Sequence, residues 1–195
     1  MSVWNILFLI GFLCYLAIRG WFERRTRGKT VVWSRGGPAD RYVLFVVFLG
    51  CLLLPVVYLV TPLLSFADYH LPLVVRCLGV LVMIAALGLF WRAHRDLDRN
   101  WSVTLEIRDG HELVTTGIYR RIRHPMYAAI WLFSLAQAML LENWVAGPSA
   151  VASFAILYAK RVPNEERMMR EYFGAAYDAY AANTGRLFPK LRKRP

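Results

Sequence analysis

Apolar residues along the chain fall into long blocks, separated by short stretches that hold nearly all of the charge. An α-helix needs about 20 apolar residues to cross a bilayer core. Five blocks approach that length: residues 3–18, 42–66, 71–91, 126–141 and 144–159. The pattern predicts an all-α integral-membrane protein of five transmembrane helices, forming one domain over residues 1–195. The first block is short, but Trp21 and Phe22 extend it at the interface. It has neither a basic stretch before it nor a small-residue cleavage site after it, so it reads as a retained helix rather than a signal peptide.

Within this frame, residues 19–41 read as a basic interfacial loop containing Gly28, Gly36, Gly37 and Pro38. Pro55 and Pro62 predict a kink in the second span, whose freed carbonyls neighbouring helices must satisfy. Asn143 and Trp144 fit a tight interfacial turn, which makes spans four and five an antiparallel pair. Polar residues concentrate in 92–125 and 160–195, so any chemistry is expected between these two stretches.

The net charge of +11 could suggest nucleic acid, but its distribution argues otherwise. Of the 24 lysines and arginines, all but Arg76 fall on one side of the five-span arrangement. This is the positive-inside bias, which predicts an external N-terminus, a cytoplasmic C-terminus and attraction to anionic headgroups. No aromatic–basic module for nucleic acid is present, and no nucleic-acid partner is expected. Cys14, Cys51 and Cys77 each lie inside a span without metal-ligand spacing, so they read as small hydrophobes and no metal is expected.

Residues 101–127, WSVTLEIRDGHELVTTGIYRRIRHPMY, carry the first candidate chemistry. Val103 to Ile107 alternate as a strand would, Asp109-Gly110 signals a turn, and Gly117 permits close backbone approach. Pro125 suits the first position of the fourth helix, which places His124 at its N-cap beside free N–H groups that favour an anion. Taken singly, Arg120, Arg121 and Arg123 are arginines at a membrane boundary, a common arrangement. In the second stretch Arg161 and Glu165 lie four apart on a helix leaving the fifth span, and Pro163 between them is expected to kink that helix or to start a new one. Glu166 and Arg170 repeat the spacing and read as a solvated surface pair. Arg161 and Glu165 lie closer to the membrane, where ionisable groups usually have a partner or a task.

GIYRRIRHPMY, followed by RVPNEE and then GRLFP, resembles the isoprenylcysteine carboxyl methyltransferase (ICMT) family, and most closely its short prokaryotic members with five spans. The resemblance covers about residues 90–190. It implies a membrane methyltransferase that uses S-adenosylmethionine, releases S-adenosylhomocysteine and acts on a lipophilic carboxylate such as an isoprenylcysteine. Carried over position by position, it makes His111, Glu112, Leu113, Val114 and Tyr119 the segment lining the cofactor. His124, Pro125, Met126 and Tyr127 match the family's cofactor-binding His-Pro-x-Tyr, and Glu165 matches its cofactor-contacting acid. Arg161 matches the arginine assigned to the substrate and is the candidate catalytic residue, while Arg186 is a further candidate for substrate binding. Ala128 and Ala129 follow Tyr127 where family members often have glycine; both are small enough for close helix packing.

Methyl transfer suits these residues. An activated methyl group requires mainly alignment of donor and acceptor, an ionised carboxylate needs no strong base, and an arginine can hold that carboxylate with two hydrogen bonds. The glycine-rich fingerprint of dinucleotide folds is missing, which excludes a soluble Rossmann methyltransferase. Two other enzymatic readings stay open: a phospholipid or amine methyltransferase of the same superfamily, and an NADPH-dependent sterol-type reductase. A non-enzymatic transporter would line its spans with polar groups, yet Gln137 and Arg76 are the main ones, and neither has an evident ionisable partner. A monomer surrounded by membrane lipid is expected.

Overall fold

The structure, a computed structural model, describes residues 1–26, 31–34, 38–98, 106–108 and 112–190. Its helices are α1 (Val3–Thr26), α2 (Pro38–Phe48), α3 (Leu54–Val60), α4 (Leu73–Leu97), α5 (Pro125–Leu140), α6 (Ser149–Phe173) and α7 (Ala175–Asn183). A π-helical turn, Leu49–Leu53, joins α2 to α3. Among the described residues, three helical stretches are long and apolar enough to cross a membrane: Val3–Arg25, Arg41–Val60 and Leu73–Leu97. The apolar α5 is shorter, and α6 is apolar only in its first half.

Element boundaries depart from the sequence pattern in several places, beginning with α1, which runs on to Thr26 through residues read as loop. The second helix stops at Val60, because Pro62 removes the donor that residue 62 would contribute and Thr61 turns extended. The third runs on to Leu97. The helix of the fifth block, α6, begins at Ser149 rather than 144, since residues 141–148 form a turn. α6 then passes through Pro163 without a break. The connector read as a loop contains β1 (Val31–Ser34), which pairs antiparallel with β2 (Glu106–Arg108). Part of the strand-like 103–107 stretch, and the Asp109-Gly110 turn, lie outside the described residues.

The core forms where α1, α4 and α5 meet. Phe8, Phe12, Met83 and Phe133 are buried there, with ring centroids of Phe8 and Phe12 6.0 Å apart. Ala86, Ala93, Ala129, Ala136, Ala146 and Ala150 are almost wholly buried. Where lipid removes the hydrophobic drive between helices, small residues allow backbones close enough for dispersion contacts to hold them.

The expectation about freed carbonyls is met at the π-helical turn before Pro55. The Gly50 carbonyl accepts hydrogen bonds from Gln137 Nε2 (3.1 Å) and Ser149 Oγ (2.7 Å). Only glycine fits at position 50, because a Cβ would lie 2.8 Å from Ser153 Cβ. Two expectations are corrected at the opposite end of the bundle. Arg76 has an ionisable partner, Glu142, at 3.1 Å. Asn143 is fully buried rather than interfacial: Nδ2 donates to Leu64 O and Asp68 Oδ1, and Oδ1 accepts from the Val145 and Ala146 amides. One amide side chain therefore ties the α5–α6 turn to the turn before α4.

Candidate active site

Residues 117–124 carry the chain from its polar connector onto α5. Gly117 sits at φ +57°, a conformation in which a side chain is strained, and a Cβ there would come within 2.6 Å of Asp96 Cγ. Asp96 in turn accepts the Ile118 amide at 2.8 Å, which fixes the start of a 3-10 turn over Gly117–Arg120. The chain then enters α5 with Pro125 at the first position and His124 at the N-cap, as the sequence predicts. His124 does not cap α5 with its ring, however; the imidazole faces α6.

There it meets two adjacent carboxylates. His124 Nε2 lies 3.2 Å from Glu166 Oε1, and Nδ1 lies 3.8 Å from Glu165 Oε1. Tyr127 donates its hydroxyl to Glu165 Oε2 at 2.7 Å. Glu166, which the sequence pattern presents as half of a solvated pair, is only 1% exposed in its side chain and stands at the centre of the cluster. Arg123 donates to it from Nε (3.2 Å) and Nη2 (3.1 Å), and Arg186 from Nε (3.1 Å) and Nη2 (2.8 Å). Arg170 reaches it only at 3.9 Å and hydrogen-bonds Asp178 instead. Burial alone would penalise the Glu166 charge, yet hydrogen bonds from His124 and Arg186 and the charge of Arg123 hold its carboxyl well below the usual range.

The C-terminal segment is stitched to this cluster. The amides of Arg123 and His124 donate to the carbonyls of Gly185 (2.8 Å) and Arg186 (3.0 Å). Arg123 Nη1 reaches the carbonyls of Ala181 and Thr184. Tyr180 donates its hydroxyl to Tyr119 O at 2.8 Å; burial, the main cause, raises its pKa to about 12, against the opposing charge of Arg123. Arg123 is thus occupied by protein groups, which leaves little of its charge for a ligand.

Against this cluster opens a cavity of about 520 Å³. Its polar end is bordered by Glu112, Leu113, Val114, Tyr119, His124, Pro125, Met126, Tyr127, Arg161 and Glu165, so ten of the sequence-predicted site residues converge on one space. Its apolar end runs between Phe12, Phe48, Cys51, Leu52, Phe133 and Phe154. Arg186 stands behind this wall, with its guanidinium on Glu166. His111 lies outside the described residues. Sequence reasoning missed Glu166, Asp96 and the wall contributed by α1 and α2. A signal for Glu166 existed: Arg123 and Arg186 both fall in the motifs quoted above, and the charge of Arg123, 9% exposed in its side chain, requires a carboxylate.

The sequence profile of the isoprenylcysteine carboxyl methyltransferase (ICMT) family matches residues 74–171, half of the chain. The chain belongs to this family. The match contains the Glu112–Tyr127 segment and the Arg161–Glu166 pair, begins after α1–α3 and ends before α7 and Arg186. Among relatives, a probable protein-S-isoprenylcysteine O-methyltransferase of Oryza sativa subsp. indica is 31% identical over 83 residues, covering 40% of this chain and 41% of that protein. Protein-S-isoprenylcysteine O-methyltransferase B of Arabidopsis thaliana is 33% identical over 89 residues, 43% of each. The matches span about two fifths of the length of these curated relatives. The structure of the eukaryotic intramembrane Ras methyltransferase ICMT superposes with a TM-score of 0.58 at 22% identity, over 97% of this chain and 68% of that one, which shows a shared fold. Family membership and three apolar helices together make this ICMT-family chain an integral membrane protein.

Proposed function

We propose that the protein methylates the carboxylate of a lipophilic acceptor with S-adenosylmethionine, in a five-span arrangement whose polar cavity end faces the cytoplasm. The observation that carries this reading is the shape of the single space beside Tyr127 and Glu165: charged at one end, aromatic and aliphatic at the other. A polar donor and a greasy acceptor can share it from opposite ends. The orientation rests on the basic residues, which gather at the polar end of the helices.

The donor set suits the cofactor's chemistry. Glu165, hydrogen-bonded by Tyr127, offers a carboxylate to an ammonium or to ribose hydroxyls, and the Tyr127 ring offers a π face to a sulfonium. Glu112, Leu113 and Val114 border the same end, where their backbone groups can meet the adenosine. When bound, the cofactor would supply an activated methyl group to an acceptor carboxylate, leaving a methyl ester and a neutral thioether with no proton to move. What the protein adds is alignment and a dry, charged setting. Arg161, one helical turn before Glu165 on α6, can hold the acceptor oxygens beside the donor. Ionised Glu166 accepts only, so His124 must carry a proton on Nε2, which fixes the imidazole and turns Nδ1 towards Glu165.

Purified protein should bind S-adenosylhomocysteine in calorimetry but not NADPH. Glu165→Gln and Tyr127→Phe should each weaken that binding by about tenfold, equivalent to about 1.4 kcal/mol. Wild-type affinity in both variants, or preferential NADPH binding, removes this reading.

A further inference from the structure

The helices outside the family match supply part of the cavity wall. Phe12, Tyr15, Leu16 and Arg19 of α1 all border it, at the i, i+3, i+4, i+7 spacing that places residues on one helix face. Going along that stripe the wall changes from aromatic to cationic, and seven residues of α-helix rise about 10 Å. We infer that this α1 stripe is the acceptor site: Arg19 binds the anionic head of an amphiphilic acid, and its tail runs along α1 towards Phe12. This rests on the methyl-transfer reading for the fate of the acid, but not for its binding.

Three observations support the assignment. Arg19 is half-buried on the cavity wall, whereas Arg24 and Arg25 on the same helix are exposed, as ordinary boundary arginines are. Tyr15, one helical turn before Arg19, is itself clamped, its ring centroid 4.4 Å from that of Phe90 and 4.9 Å from that of Phe133. Such a residue is held in place by packing rather than left to follow solvent. At the far end Phe12 and Phe133, 6.3 Å apart and both buried, close the space. Arg161 lines the same space from α6, so the acceptor's carboxylate is offered Arg19 and Arg161 together. The α1 stripe is also short: a tail much longer than about 10 Å must bend or leave between helices into lipid.

The test uses the full-length protein in lipid nanodiscs, a tritiated S-geranyl mercaptopropionic acid and its uncharged amide, read as saturable binding by scintillation proximity. S-adenosylhomocysteine affinity is measured in parallel. The acid should bind and the amide should not. Arg19→Met should weaken the acid by at least about tenfold while the S-adenosylhomocysteine affinity stays within about twofold, and Arg19→Lys should restore part of the loss. Phe12→Ala should shift preference in a series of S-alkyl acids towards longer tails. Equal binding of acid and amide, no saturable acid binding, unchanged affinity in Arg19→Met, or a parallel loss of both ligands in both Arg19 variants overturns the inference. Arg19-dependent acid binding without any S-adenosylhomocysteine binding leaves the inference standing and removes the methyl-transfer reading instead.

Discussion

His124 Nε2 lies 3.2 Å from Glu166 Oε1, and through that contact a residue at the start of α5 is tied to the buried hub of α6. The same carboxylate takes both Arg123 and Arg186, so three segments distant in sequence converge on one side chain. Glu165, the next residue, looks into the cavity instead. Adjacent positions on a helix differ by about 100° in direction. The paired glutamates thereby differ in their surroundings, one tying protein segments together and the other facing the cavity.

Glu166→Gln should show this division. It leaves Arg123, 9% exposed in its side chain, without its counter-charge. Breaking a buried pair from one side costs about 3–5 kcal/mol. The variant should lower the thermal midpoint markedly and release residues 184–190 to limited proteolysis, whereas Glu165→Gln should do neither. Differential scanning fluorimetry in detergent and mass mapping of the proteolytic fragments check both.

Acid titration offers an independent handle on the same carboxylate. The Glu166 pKa is depressed in the folded protein, so the unfolded chain takes up its proton first. The linked stability is therefore complete above the ordinary carboxylate pKa of about 4.3 and is lost progressively as pH falls below it. Wild-type thermal stability should hold its Glu166 contribution down to about pH 5 and then decline. Glu166→Gln should lack this component, narrowing the gap between the two proteins towards acid. A gap that is constant from pH 7 to pH 3.5 would sink the assignment.

Gly117 should not tolerate a side chain. Its φ of +57° and the Asp96 carboxylate against it both exclude a Cβ. Gly117→Ala must disturb the Asp96–Ile118 bond and with it the 3-10 turn that presents Tyr119. We expect a stability loss of about 1–3 kcal/mol together with weaker S-adenosylhomocysteine binding. Gly174, at φ +56° with open space around it, is the control: Gly174→Ala should cost stability through the backbone alone and leave ligand affinity unchanged.

The apolar blocks were legible because lipid demands them, and each block does contain a helix or most of one. Their ends were less so, since Thr61 and the 141–148 turn are set by local hydrogen bonding that hydropathy does not register. His124, Tyr127, Arg161 and Glu165 were legible from their motifs, and they do converge. Glu166 was not, because an i, i+4 partner in Arg170 offered a plausible surface explanation; only tertiary contact brings Arg123 and Arg186 to it instead. Arg19 was hidden for a related reason. In sequence it is one of seven basic residues after the first span, and nothing local separates the one that turns inward.

Inside the apolar part of the bundle, Gln137 and Ser149 share the Gly50 carbonyl in the π-helical turn before Pro55. Gln137 Nε2 also donates to Ala146 O at 2.8 Å. Interhelical hydrogen bonds in membranes average about 0.6 kcal/mol and reach about 1.7, because unfolded segments also find partners there. Gln137→Leu alone should therefore cost only about 1 kcal/mol, since Ser149 still covers Gly50. Ser149→Ala alone should cost about as little, with Gln137 remaining. The double variant leaves the carbonyl bare in an apolar setting and should lose more than the two singles together, by about 1 kcal/mol or more. Unfolding titrations of the four proteins in mixed micelles measure that coupling, and strict additivity would show that the Gly50 carbonyl is satisfied by some other group.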